Sequence, residues 1–316
     1  MNEKNIVICD VDFRYADSLA KNICGRKELA VKVYICKDLQ EVTKLSRKKP
    51  IHIFITGEQY MKENGEEIKS EQTFVLGKDR AEDLGEATVV YRYQNADEII
   101  RIILEHYVAK TKENITRSIC KNRTRLMAVY SPIHRIGKTT FALELGKAYA
   151  KKGRVLYLNM EEYGGLAEDE DKSLNLGDLL YYIKQGNQNL GIRLGASVKK
   201  MEDMDYLLPI PMVPDLKQTT WEEWRALLQQ IAESGSYEVI ILEPGESVQG
   251  LFLLLEMCDK VYMPILEDEV SQRKVKQYLQ NVEKLKLEQL KTNTYQFVMP
   301  EDIQKYAKWR VKEEGQ

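Results

Sequence analysis

Several things are scarce or missing in this 316-residue chain, and each absence narrows the field. No apolar run approaches the ~18 residues of a membrane span, and no internal repeat or low-complexity tract is present. The five cysteines, Cys9, Cys24, Cys36, Cys120 and Cys258, are scattered, odd in number and without C-x-x-C spacing. That argues against a disulfide framework or a zinc ribbon, and they read as reduced residues of a cytoplasmic protein. Charge of one sign is not in excess either. A formal net charge of −2 gives no global pull toward nucleic acid or an anionic membrane, so neither is expected as a specific partner. The opening Met1-Asn2-Glu3-Lys4 runs straight into a strand pattern, with no sign of an export signal.

One further absence lies inside a motif. The stretch Ser131-Pro132-Ile133-His134-Arg135-Ile136-Gly137-Lys138-Thr139-Thr140 ends like a phosphate-binding loop, G-x-x-x-x-G-K-[ST], but Pro132 stands where the first Gly belongs. The run Leu126 to Tyr130 before it has the pattern of a buried strand, and Phe141 to Ala150 after it that of an amphipathic helix. Strand, loop and helix are the setting in which backbone N–H groups at a helix N-terminus cradle a phosphate chain. In that setting Gly137 lets the backbone approach, and Arg135 and Ile136 line the loop. Lys138 reaches the β and γ phosphates. The Thr139 hydroxyl ligates Mg2+, and Thr140 adds a hydroxyl to the α phosphate. Pro132 removes one backbone donor and fixes its own φ at the position that contributes least.

The rest of the chain alternates strand and helix patterns in two units. The fold class expected is α/β with two doubly wound parallel sheets, the first flavodoxin-like and the second a P-loop NTPase domain. We place the first domain at 1–110, a polar, basic linker at 111–124 and the second domain at 125–316. In the first, strand patterns cover Asn5 to Cys9, Val31 to Cys36, Ile51 to Thr56, Thr73 to Leu76 and Thr88 to Tyr93. Helical patterns cover Tyr15 to Cys24, Leu39 to Leu45 and Ala96 to Ala109. The polar, basic segment from Lys110 to Thr124 carries Lys110, Lys112, Arg117, Lys121 and Arg123. The second domain adds a strand at Arg154 to Asn159, an acidic stretch from Glu161 to Asp171 and a helix at Leu176 to Lys184. Thr220 and Glu223 form a capping-box pattern ahead of a helix whose apolar face holds Trp221, Trp224, Leu227, Leu228 and Ile231, with the Trp pair read as packing. A buried strand, Glu238 to Leu242, then leads to a helix ending near Met257, a strand at Lys260 to Pro264 and one long helix from Val270 to Leu290. Glu243 closes the buried strand at the carboxyl edge of the sheet, where ligands bind, and is assigned to the metal.

On these residues the second unit resembles the MinD/ParA group of P-loop ATPases, and its combination with the first resembles the CpaE/TadZ branch. The resemblance covers residues 4 to 290. It implies ATP with Mg2+ as ligands, a homodimer with the nucleotides between the chains, and protein partners in pilus, secretion or polar-localisation machinery. The signature lysine of the group falls at Ile133, with Arg135 two residues on as a substitute charge of different shape. The D-x-D of the group reads Asn159-Met160-Glu161, which leaves Glu161 as the candidate catalytic carboxylate. The Walker B Asp is replaced by Glu243, followed by Pro244-Gly245. The first unit resembles a response-regulator receiver without its phosphorylation chemistry. Asp10 and Asp12 match the acid cluster, but Ile55-Thr56-Gly57-Glu58 has no acceptor Asp and Arg92-Tyr93-Gln94 no Lys. A pseudo-receiver that serves protein contact is expected.

The tail pattern is a strand, Thr294 to Met299, and a helix, Glu301 to Glu314. Its mixed charges favour packing on the body, with membrane contact peripheral at most. Three functions remain open at this level. The first is a nucleotide-responsive localisation or assembly scaffold with slow or no hydrolysis. The second is an ATPase that cycles between monomer and dimer, and the third an interaction module that binds no nucleotide.

Overall fold

The computed structural model describes residues 3–26, 29–62, 68–78, 87–111, 123–165, 174–185 and 190–314. Most of the expected linker, including Lys112, Arg117, Cys120 and Lys121, lies outside them, as does the acidic stretch beyond Gly165. The chain divides into two compact units, Met1–Ile119 with Gly191–Ala196, and Cys120–Leu190 with Ser197–Gln316.

The first unit runs β1 (Lys4–Cys9), α1 (Phe13–Gly25), β2 (Val31–Cys36), α2 (Leu39–Ser46), β3 (Ile51–Gly57), α3 (Glu58–Lys62), β4 (Ser70–Gly77), β5 (Thr88–Tyr91) and α4 (Ala96–Thr111). Its sheet is parallel throughout, in the order β2-β1-β3-β4-β5. Helices cover both faces, so the central strands are apolar almost continuously instead of alternating. Ile6, Ile8, Ile53 and Ile55 pack under Leu19, Ile23, Ile99 and Ile103. Val7, Cys9 and Phe54 face Val42 on the other side. The expected strands are all present, but β4 is longer than its pattern and β5 stops at Tyr91, which leaves Arg92 beyond the sheet.

The second unit runs β6 (Arg125–Val129), α5 (Lys138–Ala150), β7 (Val155–Met160), α6 (Leu176–Lys184), β8 (Lys199–Met201), β9 (Met204–Leu207), α8 (Val213–Gln218), α9 (Trp221–Glu233), β10 (Val239–Pro244), α10 (Leu251–Glu256), β11 (Lys260–Ile265), α11 (Glu269–Lys284), α12 (Glu288–Asn293), β12 (Thr294–Val298) and α13 (Ile303–Glu313); α7 (Leu190–Ser197), between α6 and β8 in the chain, falls almost wholly in the first unit. The strand order is β12-β11-β6-β10-β7-β9-β8. Because β8 pairs antiparallel with β9, this sheet is mixed, and the expectation of a purely parallel one is corrected. The hairpin escaped the sequence reading because its strands have only three and four residues and turn at Glu202, whose φ is +54°. The single long helix expected from Val270 to Leu290 is also corrected. It breaks where Lys286 takes φ +58°, and the chain restarts as α12, which sends Leu290 into the core.

Caps fix the helix starts. Asp12, Asp268 and Asp302 cap α1, α11 and α13, and the capping box of Thr220 and Glu223 closes as its spacing implies, with Trp224 fully buried. The core around Phe141, Leu145, Tyr157, Ile241, Tyr262 and Phe297 extends to α13, which lies along α5. Tyr149 and Tyr262 both donate to the Glu314 carboxylate, and Lys152 Nζ donates to the Val311 carbonyl at 2.8 Å. The tail helix therefore spends its apolar face on the body. No helix among the described residues is long and apolar enough to cross a membrane.

Candidate functional site

In the second unit β6, β7 and β10 lie side by side, and the site is built from the residues that follow their carboxyl ends. The loop after β6 is held by local bonds and two buried side chains. Ser131 Oγ accepts the Ile133 N–H at 3.2 Å, and Ile133 and Ile136 are buried. His134 and Arg135 are left exposed between them, Arg135 with φ +57°. Gly137 then takes φ +83° and becomes the N-cap of α5 without a side chain to cap the helix. A left-handed residue is cheapest as glycine. Here it also has the Met299 methyl 3.6 Å and Ile303 Cδ1 3.9 Å from where a Cβ would stand. The first N–H groups of α5 are thus free of any side-chain cap, the condition under which a helix N-terminus receives an anion.

Lys138 opens the helix and is 8% exposed. Its Nζ lies 2.7 Å from Glu161 Oε1, and 5.8 Å from the centre of the Tyr130 ring. Thr139 Oγ1 donates to Glu243 Oε1 at 2.5 Å. Tyr157 donates its hydroxyl to the other oxygen of Glu243, Asn159 Nδ2 donates to the Tyr157 hydroxyl at 3.0 Å, and Asn159 Oδ1 accepts the Glu161 N–H at 2.9 Å. Glu243, fully buried, titrates above its usual range. Burial is the main cause and the charge of Glu161 adds to it, against the hydrogen bonds from Thr139 and Tyr157 and the charge of Lys138. Burial, then Glu243, pushes the Tyr157 phenol well up, so it stays a donor.

The loop after β7 is tied to the loop after β10. Glu162 Oε1 accepts the Ser247 N–H at 2.9 Å, and a Cβ on Gly245 would stand 2.6 Å from the other oxygen of Glu162 and 3.2 Å from the Cα of Glu161. A side chain there would push the Glu162 carboxylate aside and crowd the Glu161 backbone. Burial alone would raise the Glu162 carboxyl, but the Ser247 bonds and the Lys138 charge outweigh it and hold it low.

The structure thus brings together Ile136, Gly137, Lys138, Thr139, Glu161 and Glu243 as the sequence places them, while Arg135 and Thr140 are exposed at the rim. Tyr130, Tyr157 and Glu162 were not singled out from sequence. Tyr157 carried a signal all the same, two residues before Asn159 in a strand and so on the same face. The residues suit a phosphate chain. A carboxylate already sits on the Lys138 ammonium at charge-assisted distance, beside an uncapped helix N-terminus. They also suit Mg2+ in a sparing way. Thr139 and Glu243 offer a hydroxyl and a carboxylate, and among the described residues no group of three or more His, Cys, Asp or Glu could hold a metal. Phosphate oxygens and water would complete such a site.

At the corresponding edge of the first unit the acids among the described residues are engaged. Arg92 grips Asp10 with both nitrogens, at 2.7 Å and 3.1 Å, and stacks 4.2 Å from the centre of the Tyr15 ring. Asp10 Oδ1 also accepts the Asp12 N–H at 2.8 Å, while Asp12 is spent as the cap of α1. Glu58 accepts the Lys78 N–H.

No protein-family model matches the chain, and comparison with curated proteins finds no relative. Among solved structures it is similar to cobyrinic acid a,c-diamide synthase from Mycobacterium smegmatis with bound ATP analogue and magnesium, at 19% identity over 60% of this chain and 82% of that one, with a TM-score of 0.42. A putative plasmid partition protein from Borrelia burgdorferi B31 bound to AMPPNP matches at 15% identity, over 61% and 84% of the two chains, with a TM-score of 0.41. A ParA family ATPase from Chlorobium tepidum TLS matches at 14% identity, over 59% and 90%, with a TM-score of 0.44. At this distance the likenesses carry no argument about activity.

Proposed function

We propose that the second unit binds ATP with Mg2+ and that the chain is a P-loop ATPase of the MinD/ParA kind, acting through nucleotide-dependent assembly of two copies with protein partners. The observation that carries this reading is the pair of contacts at the start of α5, Lys138 on a carboxylate and Thr139 on Glu243. Lys138 would hold the phosphates, Gly137 and the first N–H groups of α5 would bind them through the backbone, and Thr139 with Glu243 would hold the metal. When bound, Mg2+ supplies the positive charge that gathers the phosphate oxygens. Glu161 is the acid available to orient water once it leaves Lys138. The CpaE/TadZ-like part of the proposal is that the first unit is a pseudo-receiver used for contact and that the assembly positions pilus or secretion machinery in the cytoplasm.

A scaffold with little turnover is the second reading, favoured by one observation: the place of the signature lysine is taken by Ile133, which is buried and so supplies no cation to a second chain. Calorimetric titration of Mg-ATP into the wild type and Lys138→Ala, followed by phosphate release, separates the two. Losing a charge-assisted contact should weaken binding by at least about tenfold. Turnover lost with it supports the ATPase, binding without turnover the scaffold, and absence of binding by the wild type refutes both.

A further inference from the structure

The contact between Lys138 and Glu161 has a consequence of its own, which rests on the proposed nucleotide site. Glu161 is not a loose loop acid. Its N–H is fixed by Asn159, its Cα lies against Gly245, and the next residue is tied to Ser247. These three tethers hold the Glu161 carboxylate on the ammonium of Lys138, with the Glu161 side chain 22% exposed and that of Lys138 9% exposed. Lys138 is also the first residue of α5, whose N-cap Gly137 leaves the N-terminus without a side-chain cap. A phosphate group arriving there needs the same ammonium, so the two anions compete for one cation.

We propose that Glu161 is an internal competitor of the nucleotide: it closes the phosphate site by neutralising Lys138, and binding of a di- or triphosphate expels it together with the loop Glu161–Gly165. The loop is shaped for such a movement. Tyr163 is 90% exposed, and Gly165 stands at φ +63° with nothing among the described residues within 4 Å of its Cβ position. Gly164 marks the closed end, since a Cβ there would stand 2.8 Å from Asn159 Oδ1. Expulsion of Glu161 therefore moves an exposed tyrosine at the rim of the site, which would let a partner read the nucleotide state. Glu161 in this role sets affinity and need not touch the reacting atoms.

The arithmetic is that of a binding-competent fraction. If the closed pair is populated about nine-tenths of the time, the apparent affinity is lowered about tenfold, and removing the competitor restores it. The test is calorimetric titration of ADP, without magnesium so that Glu243 plays no part, into the wild type, Glu161→Gln and Glu161→Ala. Thermal unfolding confirms that each variant folds. Both variants should bind ADP about tenfold more tightly, and Lys138→Ala should bind weakly whatever stands at 161. Hydrogen exchange in residues 161–165 should speed up on ADP addition in the wild type and be fast already in Glu161→Gln. Wild-type binding that the variants do not improve, or loop exchange that ADP leaves unchanged, overturns the competitor while the nucleotide site stands. Binding by the variants alone supports the competitor in its strongest form. No binding by any of the three overturns it together with the nucleotide site.

Discussion

Replacing Arg92 by Met should loosen the first unit by stranding the buried acid that Arg92 compensates. The Asp10 side chain is 0% exposed and that of Arg92 15% exposed, and the two share a bidentate contact at 2.7 Å and 3.1 Å. Removing one member of a buried pair costs about 3–5 kcal/mol because the remaining charge is stranded. Two features moderate that figure here. Arg92 reaches the surface, and Asp10 keeps the Asp12 N–H. We expect a loss of about 2–3 kcal/mol, with part of it recovered by Arg92→Lys, which restores charge but not the two-pronged geometry. The double variant Arg92→Met, Asp10→Asn should recover most of it, since no charge is then stranded. Because the chain has two units, bulk unfolding curves mix them. Hydrogen exchange at the amides of Ile6, Val7 and Ile8, which lie in β1 beside Asp10, reports on the first unit alone. A loss of about 2–3 kcal/mol should speed their exchange roughly 30- to 150-fold. An increase below about fivefold in Arg92→Met, or a double variant no better than the single one, would refute the idea that Arg92 stabilises the unit by compensating Asp10.

Two further outcomes follow from contacts in the second unit. Gly137→Ala forces a Cβ onto a residue at φ +83° and against Met299, so it should cost about 1–2 kcal/mol in urea unfolding and weaken ADP binding by distorting the loop. Glu314 accepts from Tyr149 and Tyr262 and lies 3.2 Å from Lys260 Nζ. Burial alone would raise its carboxyl, but those bonds and the Lys260 charge hold it below the usual range. A depressed folded value means that its stabilisation is present above the unfolded value, about 4.3, and is lost as pH falls through the folded value. Glu314→Gln should therefore detach α13 at neutral pH, seen as faster exchange in residues 303–313, and its stability should fall less than that of the wild type on acidification below about pH 4.5.

What the sequence made legible follows from the range over which each signal acts. Strands buried on both faces, such as Ile6–Cys9 and Val239–Leu242, announce themselves as apolar runs, and the capping box at Thr220 and Glu223 is a four-residue pattern that closes without help from elsewhere. The hairpin at Lys199–Leu207 and the break at Lys286 depend on backbone turns that no side-chain period encodes. The candidate phosphate loop was legible because Gly137, Lys138 and Thr139 are adjacent in the chain. The state of that loop was not, since the partners of Lys138 and Thr139 come from the ends of β7 and β10. From the chain alone, Glu161 and Glu243 were two substituted positions to be judged one at a time. In the fold they become a pair of carboxylates at the ends of adjacent strands, Glu243 within β10 and Glu161 just past β7, each holding one of two consecutive residues at the start of α5. The same holds for Asp10 and Arg92, 82 residues apart. Read singly they are, by the receiver resemblance alone, an acid without its lysine; together they form an ion pair in which Arg92 supplies the cation. In both units an ion pair occupies the carboxyl edge of the sheet, Lys138 with Glu161 in the second, whose side chains are 9% and 22% exposed, and Asp10 with Arg92 in the first, at 0% and 15%. The first pair is bidentate and the second a single contact, so a phosphate ligand that competes for Lys138 should open the proposed second site and leave the first shut.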